Sequence, residues 1–519
     1  MTPGNEPPFV SSELPRHIKR NAIYNWVGWI WPLALQLVAT PFIVSRLGVE
    51  AYGVFALLSV LLGYLSIMDL GFSEATVKFI AEHYGRQETS LLETIFRCSL
   101  LLYSLFGIVG AIILATLTTI LVEIIFHTPQ PLVQEAKFAF YVTAFSFLIN
   151  MWVGVFSSVP KALQRYDLLN SLRLALGTLT TLGIVAVLAL NLSLRAVVIV
   201  QFISSILGLW LHFVIVRYLL PGMKWWPQFD RQSFRRLFGF GGMVLINRIT
   251  NVVAFQVPQG IIAAVKGPVE VTYYTVPFKL ALPIQTMFST SLQAFFPMSA
   301  AMVGAGQNDS LKNVYVRVSQ LLVFSATALA LPMVILSSDI MRQWMGPEFA
   351  TNSYFVLLCL AGAFWLNAFA ILPAYILLGA GLAKFNALLG VIGAVYNVVG
   401  SLVLAPRYGA NGLAAALLLS SVLNVPLAIW LVHSRVLHLP TLHVLYQAYL
   451  RPILAALSAG AVAQIVIVTL RINGVASLLG AIAFLEALYL GFALLFGAVW
   501  TQDIGILLKL ARFKLEDGP

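Results

Sequence analysis

Hydrophobic positions in this chain come in long unbroken runs, without the alternation of a half-buried strand or the one-sided stripe of a water-facing helix. The runs fall at roughly 22–44, 52–75, 97–122, 136–158, 168–190, 196–219 and 238–263, then at 270–296, 313–335, 353–376, 384–404, 411–431, 450–470 and 475–498. At 1.5 Å per residue each spans a hydrocarbon layer of about 30 Å as a helix. The pattern predicts an all-α polytopic membrane protein with about 14 transmembrane helices. The first twenty residues, "MTPGNEPPFVSSELPRHIKR", are polar and broken by proline, unlike a cleavable signal peptide. The first long run is therefore expected to act as an uncleaved signal anchor.

Composition agrees: 60% of the 519 residues are hydrophobic, 10% are charged, and mean hydropathy is +0.90. A soluble domain carries about 25% charged residues. The net charge of +11 is scattered among short loops and forms no basic stripe, so it indicates topology and not nucleic acid. With the N-terminus in the cytoplasm, inner segments hold 22 of the 31 Lys and Arg, and outer segments hold 7. The two remaining are Arg248 and Lys279, inside spans. This excess on one side places both termini in the cytoplasm. Cys98 and Cys359 both lie in apolar runs and read as small buried residues.

"GVEAYGVFALL" after the first span and "GPVEVTYYTVPF" after the seventh share a Val-Glu pair, which points to two related six-helix lobes. The organisation expected is a tail at 1–20, an N-lobe at 21–220, a basic linker at 221–236, a C-lobe at 237–436, a helix pair within 446–500 and a tail at 501–519. Trp225 and Trp226 in the linker suit a membrane interface. The chain lacks a P-loop, H-E-x-x-H, C-x-x-C and G-x-S-x-G, and its seven histidines are dispersed. The expectation is a transporter body with no cofactor or metal, not an enzyme.

An ionisable side chain in the bilayer costs at least about 2.5–3.5 kcal/mol at the helix centre, so it faces a cavity or a partner. Arg248 lies near mid-span 7, with Asn247, Asn251 and Gln259 on the same side of the helix. Lys279 is similarly deep in span 8, aligned with Thr272, Thr275, Thr286, Thr290 and Gln293. Cations paired with acids would serve structure alone; set among amides and hydroxyls they point to an anion-binding cavity, the reading preferred here. Asp69 in "YLSIMDLGFSEATVKFIAEHYGR" shares a face with Ser59, Ser66, Ser73 and Thr76. It either lines that cavity or caps a helix broken at Gly71. Glu74 and Lys78, four residues apart, are expected to pair. Glu486, mid-span 14, has no partner apparent in the sequence.

"SRLGVEAYGVFALLSVLLGYLSIMDLGFSEATVKFIAEHYGR" resembles the N-terminal signature of the polysaccharide flippases of the MOP superfamily, the Wzx-like O-antigen and oligosaccharide transporters. "ILLGAGLAKFNALLGVIGAVYNVVGSLVLAPRYGANGLAAALLLSSVLN" resembles their C-terminal half, and the likeness covers about residues 20–500. It implies two six-helix lobes, alternating access and a lipid-linked oligosaccharide on an undecaprenyl diphosphate carrier. It also implies residence in the cell inner membrane, work in surface polysaccharide biosynthesis and partners among the proteins of that process. Arg248 and Lys279 would then meet the diphosphate, and the amides the sugar hydroxyls. By analogy with lipid II flippases, spans 13 and 14 would guide the lipid tail. Alternatives are a cation-coupled exporter of the MATE type, for which acids in the cavity are expected, and a lipid II flippase. A membrane glycan polymerase or ligase would need a large outer loop, which the sequence lacks.

Overall fold

A computed structural model describes residues 16–470, 472 and 474–498, which are helical with no strand among them. The tail before Arg16 and the tail at 501–519 lie outside the described residues. Ten described helices are long and apolar enough to cross a membrane. Ala383–Leu437 alone covers two of the predicted spans, whereas predicted spans 7 and 8 are broken into shorter helices. By Cα packing the chain divides between Arg248 and Ile249 into two compact units.

The N-terminal unit contains α1 (Arg16–Leu47), α2 (Val49–Leu65), α3 (Phe72–Gly85), α4 (Thr89–Thr119), α5 (Val133–Ala162), α6 (Tyr166–Ala189), α7 (Leu194–Leu219) and most of α8 (Arg231–Phe255). Helix α5 packs along both α4 and α7, and α1 along α6. Phe72, Phe96, Tyr103 and Phe156 are buried where α3, α4 and α5 meet, with Phe96 and Phe156 edge to face at 5.4 Å. Predicted span 2 does not continue smoothly to residue 75. It ends in a 3₁₀ turn at Ser66–Asp69, and Leu70 (φ 49°) and Gly71 (φ 76°) turn left-handed before α3 starts. The sequence Asp-Leu-Gly thus breaks the helix.

The linker is tied to the start of α4. Arg97 Nε donates to the Trp226 carbonyl at 2.9 Å, and Gln228 N donates to the Arg97 carbonyl at 3.3 Å. Trp225 and Trp226 stack at 4.8 Å. Asp230 then accepts from Ser233 N at 2.7 Å, the geometry of an N-cap for α8. Hydrogen bonds from Ser233 hold the Asp230 carboxyl below the usual carboxylate range.

The C-terminal unit runs through α9 (Val257–Lys266), α10 (Pro268–Ala281), α11 (Pro283–Ser291), α12 (Phe295–Gly304), α13 (Asn308–Ile335), α14 (Ser337–Met345), α15 (Pro347–Asn352), α16 (Tyr354–Phe369), α17 (Ile371–Gly379) and α18 (Ala383–Val432). Then come α19 (Thr441–Val444), α20 (Arg451–Leu470) and α21 (Val475–Leu495). Predicted span 8 is three pieces: Pro283, which has no N–H to give, starts a new helix, and a second break falls between Ser291 and Phe295. Helix α18 kinks at Gly409 (φ 57°, ψ −134°), where the Ala410 N–H donates to Glu270 Oε2 at 2.6 Å. Gly48 and Gly267 precede α2 and α10 with nearly equal φ of 80° and 82°, so the Val-Glu repeat marks the same turn in each unit. The C-terminal pair docks on α13: Phe324 stacks on Tyr489 at 5.3 Å, and Gln320 Nε2 donates to the Ala498 carbonyl at 2.9 Å.

Candidate functional site: a charged helix break

The break at Leu70–Gly71 leaves backbone groups without helical partners, and side chains take their place. Asp69, buried at 7% exposure, accepts a hydrogen bond from Ser73 N at 3.1 Å and so caps α3. The same carboxylate accepts from the Tyr103 hydroxyl and forms an ion pair with Arg248. Arg248 also reaches the Ser66 carbonyl at 3.4 Å and Glu74 Oε1 at 3.3 Å. One guanidinium therefore closes both sides of the break, with 25% of its side chain still exposed. The glycine at 241 allows this approach: a Cβ there would sit 2.6 Å from the Leu70 carbonyl oxygen.

Two expectations about charge change accordingly. Glu74 pairs with Arg248, not with Lys78; Lys78 lies instead over the rings of Phe240 at 4.4 Å and Phe79 at 5.1 Å. Arg248 is not a bare cation in this state. An arriving anion has to displace Asp69 or Glu74 from it.

Gln259 is buried, and its Nε2 donates to the Phe255 carbonyl at 3.0 Å, across the junction of α8 and α9. Its donor group thus serves a second helix break. Asn251 is exposed on α8. The side chain of Asn247 lies outside the described residues. Lys279 is half-buried on α10, two residues after Pro277, in the C-terminal unit. On its helix Thr272 donates to the Pro268 carbonyl at 3.4 Å, while the buried Thr275 hydroxyl has no hydrogen-bond partner among the described residues. Glu486 Oε1 is likewise buried and without a hydrogen-bond partner there. Described His, Cys, Asp and Glu residues nowhere cluster as metal ligands.

Two broken-helix units with buried charge at the breaks define a membrane transporter fold. Solved structures share it: a multidrug resistance MATE family transporter of the MOP superfamily, inward-facing, matches with a TM-score of 0.67 at 13% identity over 78% of this chain and 94% of that one. The lipid II flippase MurJ, inward closed, matches with a TM-score of 0.69 at 13% identity, over 92% and 98%. A family model described as "Polysaccharide biosynthesis protein" matches residues 18–303, and the chain belongs to that family. A Shigella flexneri protein named "Putative O-antigen transporter" is 23% identical over 80% of this chain and 97% of its own length. The Bacillus subtilis "Uncharacterized membrane protein EpsK" is 22% identical over 95% and 97%.

Proposed function

We propose that this protein moves a polyprenyl-diphosphate-linked oligosaccharide across the bacterial inner membrane by alternating access, for surface polysaccharide biosynthesis, with both termini in the cytoplasm. Family membership and the relative named for O-antigen transport support the cargo class. The observation that carries the mechanism is the pairing of Arg248 with Asp69 at a broken helix. A cation this deep is held in the resting state by carboxylates and released to a stronger ligand. A diphosphate diester brings about two negative charges, and an arginine fork binds phosphate oxygens in bidentate fashion. Arg248 in the N-terminal unit and Lys279 in the C-terminal unit are the phosphate ligands assigned to the transport cycle. Asp69 is the internal competitor that resets Arg248; Asn247 and Asn251 are assigned to the glycan hydroxyls, and Gln259 secures the break between α8 and α9. The polyprenyl tail stays in lipid.

The lipid II flippase reading differs only in the glycan, and the MATE likeness bears on the fold. Deletion of the gene tests the proposal. Loss of surface glycan together with accumulation of lipid-linked oligosaccharide on the cytoplasmic leaflet is expected. Normal surface glycan, or lost glycan without that intermediate, would reject it.

A further inference from the structure

The linker between α7 and α8 carries a charged and aromatic patch that transport of the diphosphate does not use. Helix α7 has 26 residues, about 39 Å at 1.5 Å per residue, and so outruns a hydrocarbon layer of about 30 Å. Its last turn, with the exposed Arg217 and Tyr218, reaches the headgroup layer, and the linker starts there. Five exposed cations occupy this stretch, Arg217, Lys224, Arg231, Arg235 and Arg236, against a single acid, Asp230. Among the described residues none of the five is in an ion pair, and Asp230 is engaged as the cap of α8. Basic residues near other helix ends are neutralised within the chain: Arg86 by Glu82 at 3.0 Å, Arg165 by Asp167 at 2.9 Å and Lys312 by Asp309 at 2.9 Å. The counter-charge of the linker has to come from outside.

Rings set among these cations narrow the choice of anion. Trp226 is 66% exposed and Phe229 58%, a poor arrangement against water and a good one at the boundary of headgroups and acyl chains. Both are held in place. Trp225 meets Phe213 of α7 edge to face at 5.5 Å and carries Trp226 stacked on it, while Arg97 fixes the Trp226 carbonyl. Phe229 packs on Phe234 at 5.8 Å. In the first two turns of α8, Arg231 and Arg235 share one face, and Phe234 and Phe238 share the adjacent one. An acidic protein surface would meet the cations but leave the rings without an apolar layer. A phospholipid offers phosphate and an apolar layer side by side.

We infer that the linker binds anionic phospholipids of the leaflet it faces, with their headgroup phosphates on Lys224, Arg231 and Arg235 and the rings of Trp226 and Phe229 at the level of the glycerol. A cluster of four to eight basic residues immediately beside a membrane span attracts anionic lipid, and here the backbone ties of the linker present that cluster already ordered. A zwitterionic lipid supplies the apolar layer but no net charge, so the site discriminates by headgroup. It lies within the N-terminal unit, uses none of the residues assigned to the diphosphate and is independent of the cargo. Only the naming of the leaflet as cytoplasmic rests on the proposed orientation.

The test titrates the purified full-length protein, in a neutral detergent, with phosphatidylglycerol or phosphatidylcholine of the same chain length and reads bound lipid by native mass spectrometry. Wild-type protein should bind phosphatidylglycerol saturably and about tenfold or more tighter than phosphatidylcholine. Lys224→Gln/Arg231→Gln/Arg235→Gln should lose that preference; all three positions are exposed, and the unfolding temperature checks that the variant is folded. Where it is not, each single change is expected to weaken phosphatidylglycerol severalfold. Trp226→Ala should weaken both lipids while the preference for phosphatidylglycerol survives. Equal binding of the two lipids by the wild type, or a folded triple variant that keeps the preference, would overturn the assignment. So would an oligoglutamate peptide that binds the wild type saturably while the lipids are not distinguished, since the surface would then belong to an acidic protein segment.

Discussion

Removing the guanidinium of Arg248 would strand the Asp69 carboxylate at 7% exposure, with only Tyr103 and the Ser73 N–H to hold its charge. Breaking a buried pair from one side costs about 3–5 kcal/mol, whereas neutralising both partners costs much less. Arg248→Gln is therefore expected to lower the unfolding temperature of the purified protein markedly, and Asp69→Asn in the same chain to restore most of it. Export should not return with stability, because Gln offers a diphosphate no charge; recovered surface glycan in the double variant would make Arg248 purely structural. Tyr103→Phe removes one hydrogen bond to a charged acceptor, a loss of about 1.5–3 kcal/mol. It should free Asp69 without touching Arg248's charge, which the same thermal measurement would check. The depth of Arg248 was legible in the sequence, because a cation in an apolar run stands out. Its pairing was not: Asp69 and Glu74 are far away in sequence, and local spacing favoured Lys78 for Glu74. Of the two roles expected for Asp69, lining the cavity or capping a broken helix, the Ser73 N–H bond shows the cap, and its other oxygen meets Arg248, a pairing the local sequence did not signal.

Helix breaks set the geometry at the scale of elements, and each has a local chemical cause. At Gly409 a side chain would need an unfavourable backbone and would meet the Glu270 carboxylate. Gly409→Ala is thus expected to destabilise the protein by about 1–3 kcal/mol, read as reduced unfolding temperature, with little change for Ala substituted at the exposed Leu402. Asp230→Ala removes the cap of α8 and should cost about 1 kcal/mol. Because the folded Asp230 carboxyl is held below its ordinary value, its contribution is full above the unfolded carboxylate range and falls away as pH drops through the folded value. The wild type should therefore lose its advantage over Asp230→Ala on acidification, in paired thermal scans. Apolar runs announced the helices but not their interruptions. Pro283 and the Asp-Leu-Gly break carry a visible signal, and so does the break at Gln256, which Pro258 follows in the first turn of α9. At Gly409 the backbone leaves helical geometry and the Ala410 N–H turns to Glu270, so the two spans predicted there are two helices meeting at a kink.

Two units that each carry the same glycine turn before a Val-Glu pair fit a transporter in which buried charge moves between ligands. The proposed topology rests on the charge bias: reporter fusions after Lys266 and Arg407 are expected outside, and fusions after Arg236 and at the C-terminus inside. Reversal at two of these sites would remove the assigned orientation. The central claim is that Arg248 and Lys279 carry the diphosphate of a lipid-linked oligosaccharide. It is tested most directly in proteoliposomes holding the purified protein and a fluorescent polyprenyl-diphosphate oligosaccharide, by the fraction of lipid that reaches the opposite leaflet. Wild-type protein should equilibrate the two leaflets, and Arg248→Gln/Asp69→Asn and Lys279→Gln, both folded, should leave the lipid where it started. Equal flipping by wild type and both variants would contradict the account.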